Sequence, residues 1–277
     1  MTGKAQLGGS PARQYYAGGE LARMHTIGDL RARAHRRMPR FVLEYLEGGA
    51  EDEATLARER DAFGEWRFMP RTLLDVANRS LTSDLLGQSV PLPMMIAPTG
   101  LNGVFRKGAD VDLATAAAGA GIPFVQSTMS NALIEDVAAV TKLRHWFQLY
   151  VFGADKIWRS LVDRARAAKC EALVLTTNSQ IFGNREWDER TRGANGKPSL
   201  ATIVDAALHP PWLWQSLRHG MPVFVNVIDF VPEEQRSFFA SACGSPEPCP
   251  TTAIAASARG SRSRWRRRNA ALQAQNR

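Results

Sequence analysis

Cysteine is scarce in this chain: three in 277 residues, at Cys170, Cys243 and Cys249. Their positions give neither a metal-ligand spacing nor a disulfide framework, so no zinc module, no other metal site and no small stapled extracellular fold is expected. A reduced, cytosolic compartment fits. Long apolar runs are also missing. None approaches the ~18 residues of a membrane-spanning helix, and the first residues lack the continuous apolar stretch of a secretory signal. Acid is scarce at one end only. Residues 241–277 hold seven arginines, no lysine and the single acid Glu247, so most of the formal net charge of +8 falls there. The body before them is close to neutral, and the basic isoelectric point carries no message about the body's partners. Apolar residues make up 44% of the chain, enough for a sizeable core in one large domain or two small ones.

Residues 1–23 are rich in Gly, Ala and Arg without a clear period and read as a mobile extension. Thr26 predicts a capped helix, with Asp29 at capping-box spacing. A second helix is predicted from near Pro39 through "RFVLEYLEGG", closing on Gly48-Gly49 in a left-handed cap. "EDEATLARERDAF" predicts a third, charged helix.

From residue 92 the pattern changes. Short apolar runs at 92–97, 123–128, 146–151 and 172–177 start roughly 25–30 residues apart. Between them lie "GADVDLATAAAGAG", "NALIEDVAAV" and "DKIWRSLVDRARAAK", the last two with apolar residues at helical spacing. This is the alternating rhythm of a parallel sheet. Each run ends in polar or special residues: Pro98-Thr99-Gly100, Ser127-Thr128, Gln148 with Tyr150, and Thr176 to Asn178. Chemistry sits at the carboxyl ends of the strands in a (β/α)8 barrel. An ordinary capped loop accounts for any one such end; four in succession argue for more. Residues 199–232, "SLATIVDAALHPPWLWQSLRHGMPVFVNVIDFVP", are too long for a short βα loop and read as an excursion from the barrel. Trp212, Leu213 and Trp214 follow two prolines there, and read either as a membrane-interface patch or as a lid or barrel-packing loop. After about residue 240 no strand or amphipathic period remains, and the segment buries too little to offset its chain entropy.

The runs "VLEYLEGGAEDE", "IAPTGLNG", "GIPFVQSTMSN", "WFQLYV" and "LVLTTNSQIFGNREWD" together resemble the FMN-dependent 2-hydroxy acid dehydrogenases, a family that includes L-lactate dehydrogenases, glycolate oxidases and mandelate dehydrogenases. "LHPPWLWQSLRHGMP" looks most like the mandelate dehydrogenase branch, and the resemblance covers roughly residues 26–240. It implies FMN as cofactor, a small 2-hydroxy acid of lactate or mandelate type as substrate, and a 2-oxo acid as product. It places flavin contacts at Ala97, Pro98, Thr99 and Gly100, with Pro98 rigid and donorless and Gly100 permitting close approach. Ser127, Gln148 and Thr176 match positions that hydrogen-bond the isoalloxazine edge and tune its electronics. Tyr45 and Tyr150 match two tyrosines beside the substrate, and Arg185 an arginine at the pocket mouth.

Two features depart from the family. Asn178 stands where it usually has an aspartate that stabilises the imidazolium of the catalytic histidine; asparagine keeps the shape without the charge. The flavin-contacting lysine, the base histidine in a Ser-Asn-His-Gly-Gly-Arg run and the phosphate-binding glycines, which the family carries in its second half, have no match here. The histidines present are His25, His35, His145, His209 and His219. The expected architecture is therefore α/β: the N-terminal half of a TIM barrel after a small helical cap, over residues 24–240. The expected tail, 241–277, is unstructured, basic, of low complexity and read out of frame. The expected function is oxidation of a 2-hydroxy acid by an impaired, truncated chain, in the cytoplasm and peripheral to the inner face of the membrane through 199–232, with intact family members homo-oligomeric. The alternatives are a non-catalytic fragment that binds a partner or membrane surface through Trp212 and Trp214, and a basic-tailed nucleic-acid binder. No nucleic-acid partner is expected on the main reading.

Overall fold

In the computed structural model, which describes residues 16, 18–152, 154–178, 184–186, 199–220 and 222–230, the first helix starts where its cap predicts. In α1 (Ile27–Arg37) the Thr26 hydroxyl accepts from the Asp29 N–H at 3.1 Å, while the Asp29 carboxylate accepts from the Thr26 N–H at 2.9 Å. Two orphan donors are satisfied reciprocally. The other carboxylate oxygen accepts from Tyr16 N–H at 2.7 Å, fastening the preceding chain to the helix start. Of the predicted mobile extension, residues 1–15 lie outside the described residues and Leu21–Arg23 form one 3₁₀ turn.

α2 (Arg40–Glu47) follows Pro39, and α3 is Ala54–Ala62. The left-handed cap expected at Gly48-Gly49 is absent: Gly48 leaves the helix extended, at φ −74° and ψ 140°. The reason is visible in the partners. Arg185 reaches back to donate to the carbonyl of Tyr45 at 2.6 Å, so a side chain does for the last turn what a glycine cap would otherwise do. A short antiparallel hairpin, β1 (Ser83–Leu85) with β2 (Gln88–Val90), was not expected. Its turn residues Leu86 and Gly87 have φ 53° and 76°, the two positive values that a tight primed turn requires.

The parallel part reads α4 (Asn102–Phe105), α5 (Ala109–Ala120), β3 (Pro123–Ser127), α6 (Ile134–Ala138), β4 (Arg144–Tyr150), α7 (Asp155–Ala167) and β5 (Ala172–Thr176). The sheet order is β3-β4-β5, all parallel, with Ser127 opposite Gln148 and Tyr150 opposite Thr176. Three of the four predicted strands form. The run 92–97 does not: only Ile96 bridges, in parallel, to Phe124, donating to Pro123 O and accepting from Val125 N–H. Pro91, Pro93 and Pro98 flank or interrupt that run; each lacks an N–H for a ladder and restricts the residue before it. The direction and place are still those of a first strand beside β3.

Side chains alternate across the sheet. Phe147 and Leu149 of β4 pack with Ile134 of α6, Leu161 and Ala165 of α7 and Val227, and Phe124 of β3 packs with Ala114, Ala117 and Val137. That face is the helix-covered core. Gln148 and Tyr150 therefore point to the other face. On β5 the helix-facing Leu173 and Leu175 are 48% and 56% exposed.

The excursion holds two helices, α8 (Leu200–Ala207) and α9 (Pro210–His219). Trp212 is not part of an exposed patch: it is 7% exposed, packs with Val42, Leu101 and Val104, and donates its indole N–H to the Val104 carbonyl at 2.8 Å. Successive residues of a helix point about 100° apart, which separates Trp212 from Trp214. Trp214 is 66% exposed. The 241–277 tail lies outside the described residues.

Candidate active site

At the carboxyl ends of β3, β4 and β5, three polar side chains form one row. Ser127 Oγ lies 3.2 Å from Gln148 Oε1, and Gln148 Nε2 lies 2.8 Å from Thr176 Oγ1. The direction of every bond in the row is fixed. The backbone N–H of Thr128 can only donate, and it donates to Gln148 Oε1 at 3.2 Å, so that atom is the amide oxygen. Met129 N–H donates to Ser127 Oγ at 3.1 Å, which leaves the Ser127 hydrogen for Gln148. Gln148 Nε2 then donates to Thr176, whose own hydroxyl hydrogen is left to donate onward. The row ends in two donors: the Thr176 O–H and the second Gln148 N–H.

The loop after Ile96 is the second part of the site. Thr99 Oγ1 bonds Asn102 Oδ1 at 2.9 Å, and Asn102 Nδ2 donates to Thr99 O at 3.2 Å and to buried Asp110 at 3.0 Å. The second Asp110 oxygen accepts from Asn131 N–H at 3.2 Å, and Asn131 bonds Gly103 N–H and Val223 O, both at 2.8 Å. The segment carrying Ala97, Pro98, Thr99 and Gly100 is thus clipped to the loop after β3. The close approach at Gly100 is to that loop: a Cβ there would sit 3.2 Å from Met129 Cβ. Asn102, Asp110, Thr128 and Asn131 were not singled out as site residues. "QSTMSN" placed two of them at a polar strand end, but no local pattern reveals which distant backbone each one reaches.

Tyr45 and Arg185 form a third group. The Arg185 guanidinium carbon lies 5.4 Å from the Tyr45 ring centre, and Tyr45 stacks on Phe105 at 6.2 Å. Tyr150 is half-buried at the end of β4, 6.4 Å from the Phe152 ring. Asn178 is exposed, two residues beyond β5.

Among the described residues no histidine stands at a strand's carboxyl end. His25 precedes α1, His35 on α1 pairs with Glu47 at 2.8 Å, and His209 and His219 bound α9. His145 lies near the start of β4 on the helix-facing side, with Nε2 2.9 Å from Gln126 Oε1 and Nδ1 3.5 Å from Cys170 Sγ. Burial pushes His145 down to about 4 and the Cys170 thiol up to about 11.

A family model described as FMN-dependent dehydrogenase matches residues 34–267. The chain belongs to the FMN-dependent dehydrogenase family. It is 43% identical over 206 residues to (S)-mandelate dehydrogenase of Pseudomonas putida, an alignment covering 74% of this chain and 52% of that protein. It is 36% identical over 194 residues to L-lactate dehydrogenase of Stenotrophomonas maltophilia, covering 70% and 51%. Among solved structures, one described as the monotopic membrane protein (S)-mandelate dehydrogenase superposes with a TM-score of 0.73 at 41% identity, covering 79% of this chain and 58% of that one. A mandelate oxidase mutant with a C4a-OH-FMN adduct superposes with a TM-score of 0.56 at 34% identity, covering 58% and 49%. The chain spans about half the length of these relatives.

The family's cofactor can be tested against the donor set. An isoalloxazine edge offers two carbonyl oxygens and the ring nitrogens N1 and N5 as acceptors, with N3–H as its one donor. The row ends in donors at Gln148 and Thr176, so the polar bed fits it.

Proposed function

We propose that this chain supplies the flavin bed and part of the substrate pocket for oxidation of a small 2-hydroxy acid, of lactate or mandelate type, to the 2-oxo acid. The observation that carries the reading is the one-way row Ser127–Gln148–Thr176, which ends in donors that an acceptor-rich ring edge would meet. FMN, when bound, accepts the hydride equivalent from C2 of the substrate. Ala97 to Gly100, held by the Asn102–Asp110 clip, would lie along the ring. Tyr45 and Tyr150 orient the substrate through their hydroxyls, and Arg185, held against Tyr45, adds positive charge for a carboxylate. Asn178 occupies the aspartate position and cannot support an imidazolium by charge.

A membrane surface is the proposed partner of α8 and α9. Leu200, Ile203, Val204, Leu208, Trp214 and Leu217 are exposed there, with Arg218 and His219 in the last turn. Among the described residues no helix is long and apolar enough to cross a membrane; an interfacial contact of this kind needs none. Homo-oligomerisation and a place at the cytoplasmic face of the membrane follow from the same family reading.

The test is flavin content and turnover of the 277-residue chain beside a version joined to a family second half. The chain alone is expected to bind FMN weakly and to oxidise lactate or mandelate below detection, because general-base assistance alone is worth about 10²–10⁴-fold and the sequence offers no histidine for it. The joined version is expected to be yellow and active. A colourless, inactive joined version would overturn the reading.

A further inference from the structure

We infer that Thr128 is a positioning residue for the flavin bed, acting through Gln148. The inference rests on the flavin reading of Ser127, Gln148 and Thr176. The paired register of β3 and β4 ends at Ser127 opposite Gln148. One residue later the chain turns away, and the Thr128 side chain takes over the contact between the two strand ends. Its hydroxyl donates to the Gln148 carbonyl at 2.6 Å and accepts from the Tyr150 N–H at 3.2 Å. A carbonyl only accepts and an N–H only donates, so both bonds have a forced direction. The N–H of the same residue fixes the Gln148 side-chain oxygen at 3.2 Å.

Thr128 therefore holds Gln148 at both its main chain and its side chain, and holds the backbone of Tyr150. Thr128 is fully buried. Its β-branch restricts χ1, which keeps the hydroxyl aimed at β4. Valine has nearly the same shape and neither hydrogen bond, and leaves the Gln148 carbonyl and the Tyr150 N–H unsatisfied in a partly buried place. Serine keeps the hydroxyl.

The experiment uses the full 277-residue chain with Thr128→Val, Thr128→Ser, Gln148→Ala and the Val/Ala double variant. The Tyr150 amide exchange rate and the Gln148 side-chain NH₂ resonance are read by NMR, and FMN affinity by quenching of flavin fluorescence. Thr128→Val is expected to speed Tyr150 exchange, shift the Gln148 resonance and weaken FMN binding about tenfold. Thr128→Ser is expected to stay within about twofold of the parent. In the Gln148→Ala background the valine change is expected to have little effect on FMN, whereas a merely structural role would weaken both backgrounds equally. Equal losses in both backgrounds would overturn the inference. So would unchanged Tyr150 exchange and Gln148 resonance in Thr128→Val. Should that variant not fold, Thr128→Ser decides: parental values support the inference and a shifted Gln148 resonance overturns it. If the parent chain does not quench flavin, FMN affinity of the same variants is read in the version joined to a family second half; a joined parent that also fails to quench overturns the flavin reading and the inference with it.

Discussion

Acid should destabilise this chain in a window set by one histidine. His145 is 4% exposed between β4 and its covering helices. Gln126 donates its amide N–H to the Ala132 carbonyl at 2.9 Å, so its oxygen faces His145 Nε2, and that nitrogen carries the hydrogen. Nδ1 is then the acceptor, turned to the Cys170 thiol at 3.5 Å. Protonation would add a hydrogen where the thiol now donates and bury a charge. Loss of solvation holds the group down to about 4, against 6.5 when unfolded. A group depressed in the fold binds protons more readily once unfolded. Its contribution is therefore complete above about pH 6.5 and is lost as pH falls toward 4. The full span is worth about 3 kcal/mol. Glu47, held down to about 2 chiefly by Arg31, and Glu135, lowered chiefly by Arg164, lose their contributions further down, below their unfolded value of 4.5. The windows overlap little. Urea denaturation between pH 7.5 and 4.5 is expected to show stability falling through this range, and His145→Leu to flatten the curve. An unchanged slope in the variant, or an NMR titration of His145 above pH 6, refutes the argument.

Two further outcomes follow from burial. Trp212→Ala is expected to cost about 3–5 kcal/mol, since it empties a packed site and strands the Val104 carbonyl, whereas Trp214→Ala is expected to leave stability within about 0.5 kcal/mol and to reduce co-sedimentation with anionic vesicles; chemical denaturation and sedimentation check the pair. Cys170, half-buried with its thiol pushed up to about 11, is expected to react with a thiol reagent at pH 7 far more slowly in the folded chain than in urea, as a timed absorbance assay measures.

Much of the fold was legible where a local rule sufficed. The Thr26–Asp29 cap depends on four consecutive residues, and it formed as predicted. The strands β3, β4 and β5 announced themselves through apolar runs and their spacing. The run 92–97 looked equally apolar, yet prolines reduced it to one bridge. The exit of α2 was misread because its partner, Arg185, lies 140 residues away. For Trp212 the sequence left a membrane-interface patch and a barrel-packing loop both open, because the carbonyl its indole bonds is 108 residues distant; the packing reading is the one that holds. In the site, Ser127, Gln148 and Thr176 could be chosen by resemblance and did meet. Thr128 and Asp110 do their work on backbone and amide groups of other segments, which sequence spacing alone does not reveal.

The order of the sheet has a consequence for how the chain assembles during synthesis. Each strand pairs with the next one made, and the hydrogen bonds that join their ends span only 21 residues from Ser127 to Gln148 and 28 from Gln148 to Thr176. Short loops close at low entropic cost. The three strands and the polar row across them are thus complete once the chain has emerged past β5, before α9 exists. Trp212 arrives afterwards, and its bond to Val104 closes a loop of 108 residues. Docking of α9 is then a late step, and a chain halted before residue 212 lacks both the plug over Val42, Leu101 and Val104 and the Val227 that packs on β4.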